Sequence, residues 1–282
     1  MRIVVTGAGG MLGRDVLRAC DHAGVDCVAL PRTELDVTDP QASVETIGTY
    51  RPDAVINCAA WTDVDGAEQH EAAARAVNGG GAGNVARACA LAGAHLVQVS
   101  TDYVFDGTAT RPYVESDPVG PLGAYGRTKL EGERRVAEEL PSAAIARSAW
   151  LFGTAGRNFV DTMLRLAVDR GEVTVVDDQF GCPTWTGHLA PALLALAAAR
   201  SLGGVFHVAS AGQCSWHDFA LEIFAQAGVE CRVHRGSSAD LDRPAPRPAW
   251  SVLGSERDGP QLPDWTEGLA GFLAERTAGA RA

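Results

Sequence analysis

A chain of 282 residues is long enough to enclose a sizeable core and exceeds the usual single small domain, so one large α/β unit with a smaller lobe is expected. Its formal charge of −11 argues against nucleic acid as a partner, yet permits a phosphorylated small molecule held by local arginines and backbone N–H groups. Apolar residues make up 46% of the chain, but the longest apolar run, Leu189 to Ala199, is too short for a membrane span.

The run Arg2 to Thr6 reads as a β-strand and leads directly into Gly7-Ala-Gly-Gly10-Met11-Leu12-Gly13, after which Val16, Leu17, Ala19 and Cys20 repeat at helical spacing. Glycines at 7, 10 and 13 between strand and helix allow the tight turn and the close backbone approach that a dinucleotide pyrophosphate requires. A strand that begins the chain is also not a signal peptide, so no leader is expected. A second strand, Val25 to Leu30, ends at Pro31-Arg32 without an acid until Glu34 and Asp36. An acid at that point binds the ribose 2′-hydroxyl and an arginine accommodates a 2′-phosphate, so Arg32 points to NADPH, with Arg14 as a second phosphate contact. Leu35-Asp36-Val37 passes the adenine, Asp36 accepting from its exocyclic amine.

Pro40 to Tyr50 is a helix and Ala54 to Asn57 a third buried strand, leading into Cys58-Ala59-Ala60-Trp61-Thr62-Asp63, where small residues let the backbone lie against a cofactor. Asp63 and Asp65 are expected to cap the next helix. Gly79 to Gly83 interrupts that helix, as a close helix-to-sheet approach or a short break, and it resumes from Asn84 to Leu91.

His95 to Val99 is an apolar strand that passes into Ser100-Thr101-Asp102-Tyr103, and Tyr125-Gly-Arg-Thr-Lys129 opens a helix through Glu131, Glu133 and Arg134, with another helix expected up to Leu140. Tyr125 and Lys129, four residues apart, share one helix face. Lys129 is the one lysine in the chain, and it falls four residues after one of only four tyrosines. Arginine cannot replace a compact three-donor ammonium, and an ammonium beside a phenol is expected to lower the tyrosine pKa. Such a pair can protonate a carbonyl oxygen while a hydride arrives at its carbon.

Ser142 to Ala149 is a strand ending at Trp150. Helices follow over Asn158 to Arg170, Leu189 to Ala199 and Trp216 to Ala227, strands over Val173 to Val176 and Val205 to Val208, and Gln179 to Trp185 is a loop. Ser237 to Trp250 carries Pro244, Pro246 and Pro248 and cannot be regular; its Arg243 and Arg247 are available to an anionic group. The fold class is therefore α/β, a Rossmann-type doubly wound parallel sheet with a smaller interwoven C-terminal lobe. Residues 1–150 plus roughly 186–210 form the nucleotide-binding part, and roughly 151–185 plus 211–282 the substrate lobe. Seven cysteines, without a C-x-x-C pair, read as core residues of a reduced cytoplasmic protein, and seven scattered histidines, His188 and His217 among them, show no metal-ligand spacing.

The Gly-rich turn with STDYVFDG, YGRTKLEGE, RSAWLFG, NFVDTMLRLA, DDQFGCPT, SWHDFA and RPAWS resembles, over nearly the whole chain, the dTDP-4-dehydrorhamnose reductases, a branch of the extended short-chain dehydrogenases. The resemblance implies reduction of the C4 keto group of a dTDP-linked 4-keto-6-deoxy sugar. Thr101, Tyr125 and Lys129 would be catalytic, with Tyr125 the proton donor, Lys129 tuning it and holding the nicotinamide ribose, and Thr101, or alternatively Ser100, bonding the substrate oxygen. It also implies cofactor contacts at Gly10-Met11-Leu12, Asp36-Val37 and Ala60-Trp61-Thr62, and sugar contacts at Val64, Asp102, Tyr103 and Trp150. Members use NADPH or NADH, some with Mg²⁺ at a dimer contact, which implies a monomer or homodimer. Related dehydratases carry Asp-Glu directly after the catalytic Thr; here Tyr103 stands in place of that Glu. The fucose-forming epimerase-reductases need a Cys and a His, for which Cys182 and His188 are the candidates. A related branch serves as a non-catalytic, cofactor-binding regulatory subunit.

Overall fold

The computed structural model describes residues 1–279. In chain order, β1 (Arg2–Thr6), α1 (Met11–His22), β2 (Asp26–Leu30), α2 (Pro40–Tyr50) and β3 (Ala54–Asn57) form the first half of the large unit. Then come α3 (Val64–Gln69), α4 (Glu71–Arg75), a π-helical segment (Ala76–Gly81) and α5 (Ala82–Ala92), followed by β4 (His95–Thr101), α6 (Ala124–Glu139) and β5 (Ala144–Ser148). The remainder is β6 (Leu151–Phe152), α7 (Phe159–Arg170), β7 (Glu172–Val176), β8 (Phe180–Gly181), β9 (Thr184–Trp185), α8 (Thr186–Ala198), β10 (Gly204–His207), β11 (Ser210–Ala211), β12 (Cys214–Ser215), α9 (Trp216–Ala227), β13 (Arg232–Gly236), β14 (Leu262–Asp264) and α10 (Trp265–Gly279).

Six strands make one parallel sheet in the order β10-β5-β4-β3-β1-β2. Its central strands are near-continuous apolar runs because both faces are covered: Ile3, Val4 and Val5 are fully buried, as are Ala54 to Ile56. On one face Leu12 and Val16 of α1 pack with Leu189, Leu193 and Leu196 of α8. On the other, Ile47 of α2, Val85 and Cys89 of α5 and Val136 of α6 form a second cluster. A third cluster lies beneath α7, α9 and α10, built from Phe152, Val160, Phe219, Ile223 and Phe272. The chain returns from this region to the main sheet through α8 and β10, since β10 pairs with β5. No helix among the described residues is long and apolar enough to cross a membrane.

Local signals account for the helix ends. Asp39 accepts from the N–H groups of Gln41 and Ala42 ahead of Pro40, Asn158 caps α7, which ends at Gly171 in the left-handed region, and Ser215 and Asp218 form a reciprocal cap on α9.

Three expectations are corrected here. The glycines at 79–83 do not break the helix or approach the sheet. The helix widens to the π form, and Gly79 and Gly83 face Glu131 and Arg135 of α6, a helix-to-helix contact, while Gly81 faces Val37 of the loop between β2 and α2. The stretch 179–185 contains β8 and β9 within its loop. Asp63 does cap α3, accepting from Gly66 N–H at 2.9 Å, but Asp65 is turned to Arg247 instead.

Candidate active site

Strands β1 and β3 are neighbours although β2 comes between them in sequence, so the direction of winding reverses at this point and the strand ends part to leave a crevice. A cavity of about 680 Å³ opens there. Beneath it, the Thr6 hydroxyl donates to Asn57 Oδ1, and the Asn57 amide donates to Gln98 Oε1 at 2.7 Å, tying the ends of β1, β3 and β4. Asn57 Oδ1 also accepts from Ala59 N–H at 3.1 Å, which bends the chain after β3 towards the turn after β1. The two backbones meet so closely that a Cβ on Gly7, whose φ is +64°, would lie 2.6 Å from Ala59 N, and one on Gly13 would lie 2.5 Å from Gly7 O. The turn thus leaves the N-terminus of α1 facing open space, as an anionic pyrophosphate requires. Gly7, Gly10, Met11, Leu12 and Gly13 line one side of the cavity, and Ala59, Ala60, Trp61 and Thr62 the other.

Arg32, Asp36 and Val37 line the end beyond β2. The Arg32 side chain is 84% exposed and stands 3.9 Å from Asp36, leaving its guanidinium free to meet a phosphate. Arg14 differs from expectation: it folds back, Nε donating to Gly9 O at 3.3 Å, and is not in the cavity wall. Asp36 Oδ1 accepts from both the Thr38 N–H and its hydroxyl, bonds that hold the carboxyl below its usual range.

The opposite wall carries the hydroxyl cluster and the Tyr–Lys pair, with Val99, Ser100 and Thr101 from β4 and Tyr125 and Lys129 from α6. Lys129 Nζ, in a residue only 5% exposed, donates to Val99 O at 2.7 Å. Burial lowers its pKa to about 8, opposed by the charge of Glu133. Tyr125 does not follow the expectation of a lowered pKa. Burial pushes it up to about 12, a hydrogen bond with Thr101 works the other way, and Asp102 adds to the rise. The phenol therefore keeps its proton at neutral pH. Thr101 Oγ1 in turn donates to Asp102 Oδ1 at 2.8 Å and accepts from Tyr103 N–H at 3.2 Å. Burial pushes Asp102 up to about 6, and its Oδ2 is buried without a partner.

Val64, Asp102, Tyr103 and Trp150 also line the cavity. The Tyr103 ring meets Tyr125 edge-on at 5.8 Å. Trp150, at φ +47°, stacks flat on Trp216 at 3.6 Å, a strained backbone held in place by the indole pair. Arg243 and Arg247 are not in the wall, and Arg247 is committed to a two-pronged pair with Asp65, at 3.0 and 2.8 Å, so it is not the freely available cation that the proline-rich loop suggested. Trp216, inside the SWHDFA stretch, and Arg157, directly before NFVDTMLRLA, line the cavity and were not assigned to the site from sequence, since neither stretch carries a spacing that shows where its side chains point. Nor was Asn78, buried in the π-helical segment, whose side chain accepts from Trp61 N–H at 2.8 Å and donates to Thr128 Oγ1 at 3.1 Å, fixing the loop after β3 to α6.

A glycine cradle at a helix N-terminus, a crevice at the reversal of winding and a Tyr–Lys pair on its wall define a nicotinamide-dependent oxidoreductase of the short-chain type. The family model for the RmlD substrate binding domain matches residues 1–278. The chain is 48% identical to the dTDP-4-dehydrorhamnose reductase of Streptomyces griseus over 262 residues, 91% of this chain and 86% of that one. It is 45% identical to the dTDP-4-keto-6-deoxy-D-glucose reductase of Streptomyces niveus, with 90% and 89% covered. The crystal structure of dTDP-4-dehydrorhamnose reductase from Bacillus anthracis in complex with NADP superposes with a TM-score of 0.94 at 37% identity, covering 97% of this chain and 99% of that one. The chain belongs to the dTDP-4-dehydrorhamnose reductase family.

Mg²⁺, implied by resemblance at a dimer contact, does not suit the cluster of potential metal ligands found within the described residues of one chain. The cluster of potential metal ligands among the described residues is Asp177, His217 and Asp218, where Asp177 is already paired with Arg235 and takes the Ser215 hydroxyl. A hard ion that favours six oxygens does not suit a site holding an imidazole and an arginine.

Gly7→Ala is expected to weaken NADPH binding roughly ten- to a hundredfold, the equivalent of about 1–3 kcal/mol of backbone strain at the turn. Fluorescence titration of the cofactor checks this; an unchanged Kd would detach the turn from the nucleotide.

Proposed function

We propose that this protein reduces the C4 keto group of a dTDP-linked 4-keto-6-deoxyhexose with NADPH, in the first instance dTDP-4-dehydro-L-rhamnose to dTDP-L-rhamnose. The observation that carries the reading is the wall formed by Thr101, Tyr125 and Lys129 in the same cavity as the glycine turn. NADPH, when bound, supplies a hydride to C4. Tyr125 holds a phenolic proton at neutral pH and gives it to O4, while Thr101 bonds the same oxygen and orients the ketone. Lys129, anchored on Val99 O, presents its remaining N–H donors to the nicotinamide ribose and favours the phenolate as the proton leaves. Gly7, Gly10, Met11, Leu12 and Gly13 would hold the pyrophosphate, Ala59 to Thr62 the nicotinamide half and Asp36 and Val37 the adenine side.

On the sugar side we assign Val64, Asp102, Tyr103 and Trp150. The Trp150–Trp216 stack offers the sugar a flat apolar face. The third apolar cluster, separate from the two that flank the sheet, supports a substrate lobe of roughly 151–185 and 211–282 beside a nucleotide-binding part of 1–150 and roughly 186–210. Arg243 and Arg247 belong to that lobe; the Arg247–Asp65 pair assigns Arg247 to holding the loop against α3 rather than to a diphosphate. Tyr103 in place of a second acid argues against dehydration. Cys182 and His188 are absent from the cavity wall, and burial pushes the Cys182 thiol up to about 12, which argues against epimerisation. The relative that reduces dTDP-4-keto-6-deoxy-D-glucose favours a second reading in which the same site serves another deoxysugar. The intact Thr101, Tyr125 and Lys129 weigh against a purely regulatory role.

With cofactor deuterated at the transferable position, the label is expected at C4 of the product. Label at C5 or C6, or no oxidation of NADPH with any 4-keto sugar nucleotide, would overturn the reading. Tyr125→Phe should lower kcat by about 10²- to 10⁴-fold, the worth of a positioned general acid, with cofactor affinity nearly intact; wild-type turnover would sink the assignment. For Arg32→Ala, KM for NADPH should rise by the equivalent of about 1–3 kcal/mol while KM for NADH stays put, because only one of the two carries the 2′-phosphate. Equal effects on both would give Arg32 another task.

A further inference from the structure

Behind the catalytic wall lies a buried ion pair that none of the roles above uses. Glu133 is on α6, four residues after Lys129 and eight after Tyr125, so it continues the face that carries both. Its Oε1 accepts from Ser100 Oγ at 2.5 Å and from Arg147 Nε at 2.9 Å, and its Oε2 accepts from Arg147 Nη2 at 2.7 Å. Both side chains of the pair are 5% exposed. Ser100 precedes Thr101 on β4, Arg147 is its register partner on β5, and the Arg147 guanidinium lies over the Phe105 ring at 5.1 Å from its centre. One carboxylate therefore joins the helix bearing Tyr125 and Lys129 to the strand end bearing Thr101.

Burial makes such a pair costly. Isosteric apolar replacement of a buried ion pair is often neutral or stabilising, so stability alone is a weak reason for it. We infer that Glu133 is a positioning residue of the active site, setting the distance from Thr101 to Tyr125 through Ser100 and Arg147 and serving as the counter-charge of the buried Lys129 ammonium. The groups around Lys129 are few. Tyr125 and Glu133 come from its own helix and Cys58 from the end of β3, its thiol raised to about 12 and therefore neutral. Asp102 follows β4 on the Tyr125 side, and Arg147 on β5 stands beyond Glu133, bonded to it. Of these, Glu133 is the one whose charge raises the Lys129 pKa against burial, the Cys58 thiol being neutral. Without the carboxylate, and with Arg147 left unpaired, Lys129 would lose its proton at lower pH.

This inference rests on the reductase reading, and the test separates the two: absence of wild-type turnover with a 4-keto sugar nucleotide would defeat that reading, whereas the inference fails only when wild type turns over. Glu133→Gln should lower kcat roughly tenfold with KM for NADPH and sugar nucleotide within about threefold, and move the alkaline limb of the kcat–pH profile down by about one pH unit. The double variant Glu133→Gln/Arg147→Met removes both charges; it should recover thermal stability yet keep the displaced limb, whereas a merely structural pair would return the wild-type profile. Glu133→Asp, which retains the charge, should lower kcat with the limb at its wild-type position and serves where the amide variants do not fold. A wild-type limb in Glu133→Gln or in the double variant, or a displaced limb in Glu133→Asp, would overturn the inference.

Discussion

An ammonium almost closed off from water is the constraint around which the carboxyl end of the sheet is arranged. Lys129 loses solvation by sitting in the cavity wall, and burial draws its pKa down to about 8, close to the working range. The Val99 carbonyl and the nearby Glu133 charge oppose that loss. Each requires the helix to lie close against β4. Gly126 and Gly132 let the helix settle against the turn that follows β4 and against the π-helical segment, since a Cβ at the first would lie 2.2 Å from Tyr103 O and at the second 2.1 Å from Asn78 O. Compact packing and the charged site are thus one requirement, and a helix standing one side chain further out would leave the ammonium without its carbonyl.

A second set of close approaches serves the other side of the cavity. Gly7 and Gly13 let the turn after β1 collapse on the chain after β3, and the Thr6–Asn57–Gln98 ladder fixes the level at which the three strands stop. Asn78 then ties Trp61 to Thr128, so the loop against one half of the cofactor space is anchored to the helix that carries Tyr125 and Lys129. The π-helical widening at Ala76–Gly81 is where that asparagine sits, in keeping with the tendency of such bulges to occur at functional sites. Both walls are consequently coupled through polar side chains that lie outside the cavity lining.

At the far end the geometry is apolar and stiff. Trp150 accepts an unfavourable backbone conformation and is pinned by Trp216, which stands at the capped start of α9, so a residue 66 positions later in the chain completes the wall. Arg247 is held by Asp65, and the pairing depresses the Asp65 carboxyl below its usual range. This locks the proline-rich loop over α3, and a charge that looked available in the sequence is spent on loop placement.

Much was legible in the sequence because the decisive groups lie within short segments whose period or spacing carries their meaning. The strand–glycine–helix turn at 2–20, the i, i+4 relation of Tyr125 and the one lysine, and Arg32 at the end of the second strand are local patterns, and they placed the α/β fold, the nucleotide crevice and the Tyr–Lys wall. What the tertiary structure alone decided depends on distance through space and on burial. Trp216, Arg157 and Asn78 reach the site from segments whose spacing says nothing of the cavity. Asp65 and Arg247, 182 positions apart, choose each other over a helix cap and a ligand. The Tyr125 pKa moves up rather than down because desolvation, which no sequence pattern records, outweighs the hydrogen bond with Thr101, and the Asp102 charge adds to the rise. Glu133 reads in sequence as one more acid on a charged helix face; only the fold turns it inward to Ser100 and Arg147, since which face of α6 meets the sheet is settled by packing against β4 and β5.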